Sequence, residues 1–180
     1  MRKILIISFS ILFVVSSFFV IKHFASKSVS DQAPQQTQSE PSDSERPYKS
    51  LELNVIELMN EERARENLPP LQVYYAHYNK VVIRANECLE LWSHDRPIGG
   101  EWHTVYDGAS DKRIKLMGEN LARSFTTAEK IVKALMESPA HRANIMHTEY
   151  THVCVGIILQ ETNDTYTTYA MAQHFYKLGD

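Results

Sequence analysis

The sequence lacks the local signals of several common protein classes. It contains only 2 cysteines in 180 residues, it has no CxxC pair, and it shows no internal repeat. A metal site built on paired cysteines and a repeat architecture are therefore not expected. Hydrophobic residues make up 43% of the chain and charged residues 23%, which is enough for one well-buried core and makes a second domain unexpected.

Basic charge is also scarce beyond the N-terminus. The first 25 residues hold 3 of the 19 basic residues and no acidic ones, so the remainder carries 16 basic against 22 acidic residues, a formal charge of −6. A protein that binds nucleic acid usually concentrates basic residues on one surface. Nucleic acid is therefore not expected as a partner.

The N-terminus has the pattern of a targeting segment. Arg2 and Lys3 precede a run without charge from Ile4 to Ile21, which predicts export and a location outside the cell. The run lies between the length of a removable signal (~7–15 residues) and that of a spanning helix (~17–25 residues). Residues 1–25 are therefore either a signal peptide or an anchor that tethers the protein to the outer face of the cytoplasmic membrane.

Two further features separate these alternatives in part. His23 disrupts a small-x-small cleavage pattern before Ala25, which favours the anchor. No cysteine follows the run directly, which argues against a lipid-modified N-terminus. Residues 26–49 are rich in Ser, Gln, Pro and acidic residues, and they are predicted to form a disordered polar linker.

The two cysteines leave an alternative open. Cys88 and Cys154 both fall among apolar neighbours. Export permits a disulfide between them, whereas free buried thiols would pack as small hydrophobic side chains. Sequence spacing does not decide between the two, because a bridge requires the Cα atoms to come close together.

Hydrophobic periodicity predicts helices first and strands last. A helix over Leu51–Asn67 is followed by one that ends just before Ser93, by a third with Thr126 as its N-cap, and by a short fourth with Ser138 as N-cap and Pro139 at its first position. Strands are predicted at Thr151–Leu159 and Tyr166–Tyr176. This order predicts an α+β fold, with Trp92 and Val155 in its core.

Five ordered motifs between Glu52 and Tyr176 resemble those of one family, the CAP (SCP/PR-1-like) domains of bacterial extracellular proteins. They are Asn60-Glu61-Glu62-Arg63 with Leu68-Pro69-Pro70-Leu71; Arg84-Ala85-Asn86-Glu87 with Trp92-Ser93-His94-Asp95-Arg96-Pro97; Gly118-Glu119-Asn120-Leu121-Ala122; Ser138-Pro139-Ala140-His141-Arg142-Ala143-Asn144-Ile145-Met146; and Tyr150-Thr151-His152-Val153-Cys154-Val155-Gly156. The resemblance places a CAP domain at residues 50–177.

The resemblance implies a three-layer α-β-α sandwich with a central antiparallel sheet and a surface cavity. Its site residues would be His94, Glu119 after a glycine turn, and His141. Two imidazoles and one carboxylate can hold Zn²⁺ or another divalent metal and leave positions for water. Some members of the family have a further glutamate, for which Ser138 stands at the aligned position here, so Glu137, one residue earlier, is the candidate fourth member.

Structural roles compete with these assignments. Glu119 could accept backbone hydrogen bonds in a turn, Asn120 could satisfy buried loop amides, and the Ser138 hydroxyl is expected to cap its helix. The remaining histidines have no motif and are expected to be surface or satisfied core residues; they are His23, His77, His103, His147, His152 and His174.

Three functions remain open for the domain. The first is a non-enzymatic extracellular binding module for a lipid, a peptide or another ligand of the cell envelope or a host. The second is a metal-dependent hydrolase or peptidase, in which His94 and His141 hold the ion and Glu119 acts as general base. No Ser or Cys is placed by a motif as a nucleophile, which favours binding over catalysis. The third is a surface spacer without a ligand.

Overall fold

Four helices and a four-stranded sheet make up the fold in a computed structural model, which describes residues 40–108 and 111–179. The helices are α1 (Lys49–Arg65), α2 (Tyr78–Glu90), α3 (Ala128–Glu137) and α4 (Pro139–Ile145), with short 3₁₀ turns at Tyr75–His77 and Trp102–Tyr106. The strands are β1 (Gln72–Val73), β2 (Ile114–Phe125), β3 (His152–Thr162) and β4 (Thr167–Leu178). The predicted segment 1–25 and most of the predicted linker lie outside the described residues.

The sheet is antiparallel apart from one short edge strand. Its strand order is β1-β3-β4-β2, and β4 pairs antiparallel with both β2 and β3. Only the two-residue strand β1 runs parallel to its neighbour β3. The α+β class predicted from the sequence is confirmed, and β2 forms the long free edge of the sheet.

The two faces of the sheet carry separate cores, which gives the three layers. One core lies between the sheet and α1, α3 and α4, and it includes Val153, Val155 and Phe175. The other lies between the sheet and α2 with the two 3₁₀ turns, and it includes Cys154, Leu121 and Tyr176. Because β3 and β4 are covered on both faces, successive side chains along them are buried rather than alternating.

The amphipathic helices begin and end close to the predicted positions. The bounds differ by a few residues at most, and Pro139 occupies the first turn of α4 as predicted. One of the two predicted N-caps is wrong, and the other is right in position only. The N-cap of α3 is Thr127, whose hydroxyl accepts a bond from the Lys130 amide, not Thr126. Ser138 is the N-cap residue of α4 by position, but its side chain makes no capping bond.

Of the two residues predicted to lie in the core, one is buried and the other is exposed. Val155 is 2% exposed and lies in the core as predicted, whereas Trp92 is 47% exposed. Helix α2 ends at Glu90 and Leu91 is already extended, so the helical spacing that predicted burial of Trp92 no longer applies. Instead the Arg123 guanidinium lies over its ring, 4.6 Å from the centroid.

Both cysteines are free and buried. Cys88 on α2 and Cys154 on β3 belong to the same core, and burial raises the pKa of the Cys88 thiol to about 11. They therefore pack as small hydrophobic side chains, which is the second of the two alternatives.

The folded domain begins earlier than residue 50. Arg46, inside the predicted linker, is 2% exposed, and its guanidinium donates to Glu52 Oε2 at 2.8 Å from both Nε and Nη2. It also lies over the Tyr75 ring at 4.4 Å. The prediction of disorder up to residue 49 is therefore wrong for its last residues, because Arg46 neutralises the buried carboxylate of Glu52.

Within the described part of the chain, no helix has the length and apolar character to cross a membrane.

Candidate functional site

The candidate site lies at the free edge of the sheet, on β2. Glu119 and Leu121 face the layer of α2, while Asn120 between them faces α4. Gly118 is part of this strand, so the predicted glycine turn before Glu119 is wrong. An added Cβ at Gly118 would meet Tyr150 and lie 3.0 Å from Asn144 Oδ1, which explains why the smallest residue stands there.

Glu119 is a buried carboxylate with both oxygens engaged. Its Oε2 accepts from Arg84 Nε at 2.9 Å and from His174 Nε2 at 3.0 Å, and its Oε1 accepts from Arg84 Nη2 at 3.1 Å. His94 Nδ1 lies 2.9 Å from Oε1. The partners of Glu119 are therefore side chains from three other parts of the fold, and not the turn amides considered from the sequence.

These contacts keep Glu119 ionised. Burial alone would raise its pKa, but the hydrogen bonds from His174, His94 and Arg84 outweigh burial and lower the pKa of Glu119 to about 2. Arg84 is fully buried and is shared with a second carboxylate, because Nη1 donates to Glu87 Oε2 at 2.7 Å. Arg96 pairs with the same Glu87 at 2.5 Å. Two guanidinium groups thus face two carboxylates, and their formal charges cancel.

One side of the His94 ring is held by a hydrogen bond to Glu119, and the side chain remains more than half exposed. The Arg84 Nη2 group donates to the Ser93 carbonyl at 3.1 Å and reaches the His94 carbonyl at 3.5 Å, which ties this segment to α2. Because the ionised Glu119 can only accept, Nδ1 of His94 carries the proton, and a neutral His94 leaves Nε2 with its lone pair. The hydrogen bond to Glu119 raises the pKa of His94 above its ordinary value.

A second histidine holds Glu119 from the opposite side. His174 on β4 is fully buried, and it pairs with Glu119 in the register of the two strands. Burial lowers the pKa of His174, so the ring is neutral and donates from Nε2 to Glu119. Its Nδ1 then accepts from the Tyr106 hydroxyl, which in turn accepts from Tyr176 at 2.9 Å.

His141 reaches the same edge from the other layer. It lies on α4, whose backbone is tied to β2 because Asn120 Nδ2 donates to the His141 carbonyl at 3.1 Å. Asn144 Nδ2 adds bonds to the Glu119 carbonyl at 3.1 Å and to Asn120 Oδ1 at 2.9 Å. Asn120 therefore satisfies groups of α4 rather than the loop amides expected. Burial lowers the pKa of His141, and positive charge on His94 adds to this effect.

The two imidazoles line one small cavity of about 170 Å³, which we call the histidine cavity. Its wall is completed by an exposed aromatic ring, a hydroxyl and an apolar side chain, so that the lining is Trp92, Ser93, His94, Leu121 and His141. Glu119 is not part of the lining, and its side chain is 1% exposed. The structure therefore brings His94 and His141 together and places Glu119 behind His94.

Glu137 lies elsewhere. It is on α3, it forms an exposed ion pair with Lys133, and it lines a separate groove with Leu58 of α1 and Met136. The proposed fourth member of the site is therefore wrong. The reason is helical phase: the side of α3 that carries Glu137 faces α1 rather than the β2 edge.

The residues fit a divalent metal only in part. Glu119 does not fit as a ligand, since all its hydrogen-bonding positions toward the site are taken by Arg84, His94 and His174. In the part of the chain that the structure describes, no group of three His, Cys, Asp or Glu side chains is arranged to hold a metal ion. What remains are two imidazoles, with Glu119 in the place of a carboxylate that orients a histidine from behind.

Arg84, His174 and Tyr106 are functional residues that the sequence reasoning missed. The sequence predicts only a surface or satisfied core role for His174, and it places Arg84 in a motif without a role. A signal was available for two of them: Arg84 interrupts the apolar face of α2, and His174 stands in an otherwise apolar row with Ala170, Ala172 and Tyr176. A polar residue on a buried face requires a partner.

The fold and site define an α+β sandwich with a histidine cavity at the sheet edge. The model of the cysteine-rich secretory protein (CAP) family matches residues 56–175, and the chain belongs to this family.

Two kinds of relative accompany this match. An uncharacterized protein of Bacillus subtilis, YkwD, is 32% identical over 113 residues, which cover 61% of this chain and 43% of that protein. The chain thus spans less than half the length of this relative. Among solved structures, an extracellular SCP-domain protein of Bacillus anthracis matches with a TM-score of 0.61 and 22% identity over 77% of this chain and 45% of that one.

An outer surface protein of Borrelia burgdorferi matches with a TM-score of 0.55 and 21% identity, covering 77% of this chain and 97% of that one. At these identities the solved structures establish the shared fold only.

Proposed function

We propose that this chain works outside the cell as a binding module that takes a small ligand into the histidine cavity. The extracellular location is supported by the apolar N-terminal run in the sequence and by the solved relatives, which are described as an extracellular and an outer surface protein. The N-terminal segment would secrete the chain or tether it to the membrane. The ligand would be a lipid, a peptide or another molecule of the cell envelope or a host.

One observation carries the proposal: an exposed tryptophan stands beside two imidazoles that are held in place by buried partners. Trp92 is 47% exposed, although tryptophan side chains are highly buried on average. His94 is fixed by Glu119 and by the carbonyl bonds of Arg84. Concave sites with an aromatic wall and a few fixed polar groups are typical of ligand pockets.

A hydrolase is the second candidate, and the contact between Glu119 and His94 is the observation that favours it. A carboxylate that orients a histidine is the arrangement of a general base and its supporting acid. Glu119 itself cannot act as the base proposed from the sequence, because it is buried behind His94. Ser93 lines the cavity, but its hydroxyl accepts from the Asp95 amide at 2.9 Å, and within residues 40–108 and 111–179 no imidazole bonds to it.

A divalent ion such as Zn²⁺ would be held by His94 Nε2 and His141, with Glu119 as orienting partner. It would supply positive charge to a bound ligand. Two neutral nitrogens make a weak and reversible site, and the fold does not depend on it.

The test is an NMR titration of the full-length chain, with assigned signals of the Trp92 indole and of the histidine rings. Zn²⁺, octanoate and a short peptide serve as separate probes. We expect at least one probe to shift Trp92 and His141 together, while His152, which lies away from the cavity, stays unchanged. A set of probes that moves none of the cavity residues would contradict the proposal. Mass spectrometry of the recovered peptide separates binding, with the peptide intact, from hydrolysis.

A further inference from the structure

One cation beside the histidine cavity forms no ion pair with a described carboxylate. Arg84 and Arg96 are balanced by Glu87 and Glu119. Arg123, on β2 two residues after Leu121, is exposed and lies over the Trp92 ring. Among the described residues, no carboxylate forms an ion pair with it. Arg123 is therefore a cation beside the Trp92 wall with no described carboxylate paired to it, while the Asp95 carboxylate acts on His94 in the cavity lining.

The position of Arg123 gives this charge a geometric role. Its guanidinium stacks on Trp92 at 4.6 Å from the ring centroid, and Trp92 is itself a wall of the cavity. Stacking on an aromatic face limits the freedom of the long side chain and leaves the in-plane N–H groups open. An anion at the mouth of the cavity can thus accept from a guanidinium that is already oriented.

The lining and volume of the histidine cavity limit the size and the polarity of the group that can enter it. Trp92 and Leu121 offer apolar surface, and a volume of about 170 Å³ is smaller than the ~300–1,000 Å³ of pockets for drug-sized ligands. The cavity therefore suits one small apolar group rather than a whole macromolecule. His94, His141 and Ser93 add polar contacts on the remaining side.

We propose that the histidine cavity recognises a carboxylate attached to a small apolar group, with Arg123 as the residue that selects for the negative charge. The source that fits best is the C-terminal residue of a peptide, because it joins one carboxylate to one side chain and to a backbone amide that Ser93 or a histidine can meet. This inference rests on the proposed binding function and names the class of its ligand.

The experiment compares three probes on the full-length chain: a tripeptide ending in leucine with a free carboxylate, the same tripeptide with a C-terminal amide, and octanoate. Binding is followed through the Trp92 indole and the His141 ring by NMR. We expect the amide to bind at least about tenfold more weakly than the acid, as is typical when a charge-assisted hydrogen bond is lost. Arg123→Gln should remove this difference, whereas Arg65→Gln, the same change at an exposed position on α1, should preserve it.

Octanoate distinguishes the sources of the carboxylate. Equal binding of octanoate and the free tripeptide would support recognition of the carboxylate and its apolar group alone, and stronger binding of the tripeptide would support the peptide source. The inference is overturned if acid and amide bind equally, if Arg123→Gln leaves their difference unchanged, or if no probe shifts a cavity residue. In the first two cases the proposed binding function still stands, because the cavity is occupied either without selection for charge or with a selection that does not come from Arg123. In the last case both fail.

Discussion

At the scale of the residue, Arg84 is the side chain on which the site depends. It is the cation for two carboxylates, Glu87 and Glu119, and it also binds the carbonyl of Ser93. Removing one partner of a buried ion pair leaves the other charge without compensation.

We therefore expect Arg84→Met to lower the free energy of unfolding by about 3–5 kcal/mol, measured by urea denaturation. Arg65→Met provides the control, since Arg65 pairs with Glu62 at the surface and its loss should cost about 0.5 kcal/mol or less. Similar losses in the two variants would mean that Arg84 does not neutralise Glu119.

Glu119 gives the second prediction at this scale. Its pKa is lowered from 4.5 to about 2 in the folded chain, so its contribution to stability is fully present above pH 4.5 and is lost as the pH falls toward 2. This contribution amounts to about 3 kcal/mol. Between pH 5 and pH 2 the parent should therefore lose about 3 kcal/mol more stability than Glu119→Gln, which cannot titrate. Parallel pH curves for the two chains would contradict the depressed pKa.

The sequence predicted the histidines of the cavity but not the residues that hold them. The motifs identified His94 and His141, and these do line one cavity. The partners of Glu119 lie 35 residues before it, at Arg84, and 55 residues after it, at His174. No local pattern links such positions, since only the packing of α2 and the register of β2 with β4 bring them together.

At the scale of the element, the close approach of α2 to β3 determines where α2 can lie. An added Cβ at Gly156 would lie 3.0 Å from the Val82 nitrogen and 3.1 Å from the Val81 carbonyl carbon, both in the backbone of α2. A backbone cannot move aside as a side-chain end can. We expect Gly156→Ala to cost about 1–3 kcal/mol by urea denaturation, with the far-UV circular dichroism spectrum unchanged. Unchanged stability would show that α2 can shift outward without loss of packing.

The sequence predicts the helices better than strand β2, because the helices bury one apolar face whereas β2 buries polar side chains as well. The helices α1 to α3 each keep one apolar face, and their periodicity predicted them closely, whereas α4 was predicted from Ser138 and Pro139. Strand β2 was missed over its whole length, Ile114–Phe125. Its polar residues Glu119 and Asn120 are buried at the free edge of the sheet, against α2 on one face and α4 on the other. Alternation of polar and apolar residues therefore does not mark this strand.

At the scale of the whole molecule, the first described residues belong to the domain. Glu52 is fully buried, and besides Arg46 it accepts from the Tyr78 hydroxyl at 2.7 Å and from the Ile157 amide at 3.3 Å. A chain that starts at Ser50 would leave this carboxylate without its cation. We expect it to be about 3–5 kcal/mol less stable than a chain that starts at Glu40.

Arg46→Met in the full-length chain should reproduce this loss, because it removes the same cation without removing backbone. Equal stability of the two truncated chains would place the boundary at residue 50, as the composition of the segment first suggested.

The central claim is that the layers on the two faces of the sheet each contribute one histidine to a single site, with His94 oriented by Glu119. Long-range ¹H–¹⁵N NMR of the histidine rings at pH 7.5, during addition of Zn²⁺ to the full-length chain, tests it most directly. We predict that His94 carries its proton on Nδ1 before addition, and that the Nε2 signal of His94 and the signals of His141 shift together while those of His103 do not. A proton on Nε2 of His94, or a shift of one of the two histidines without the other, would contradict the account.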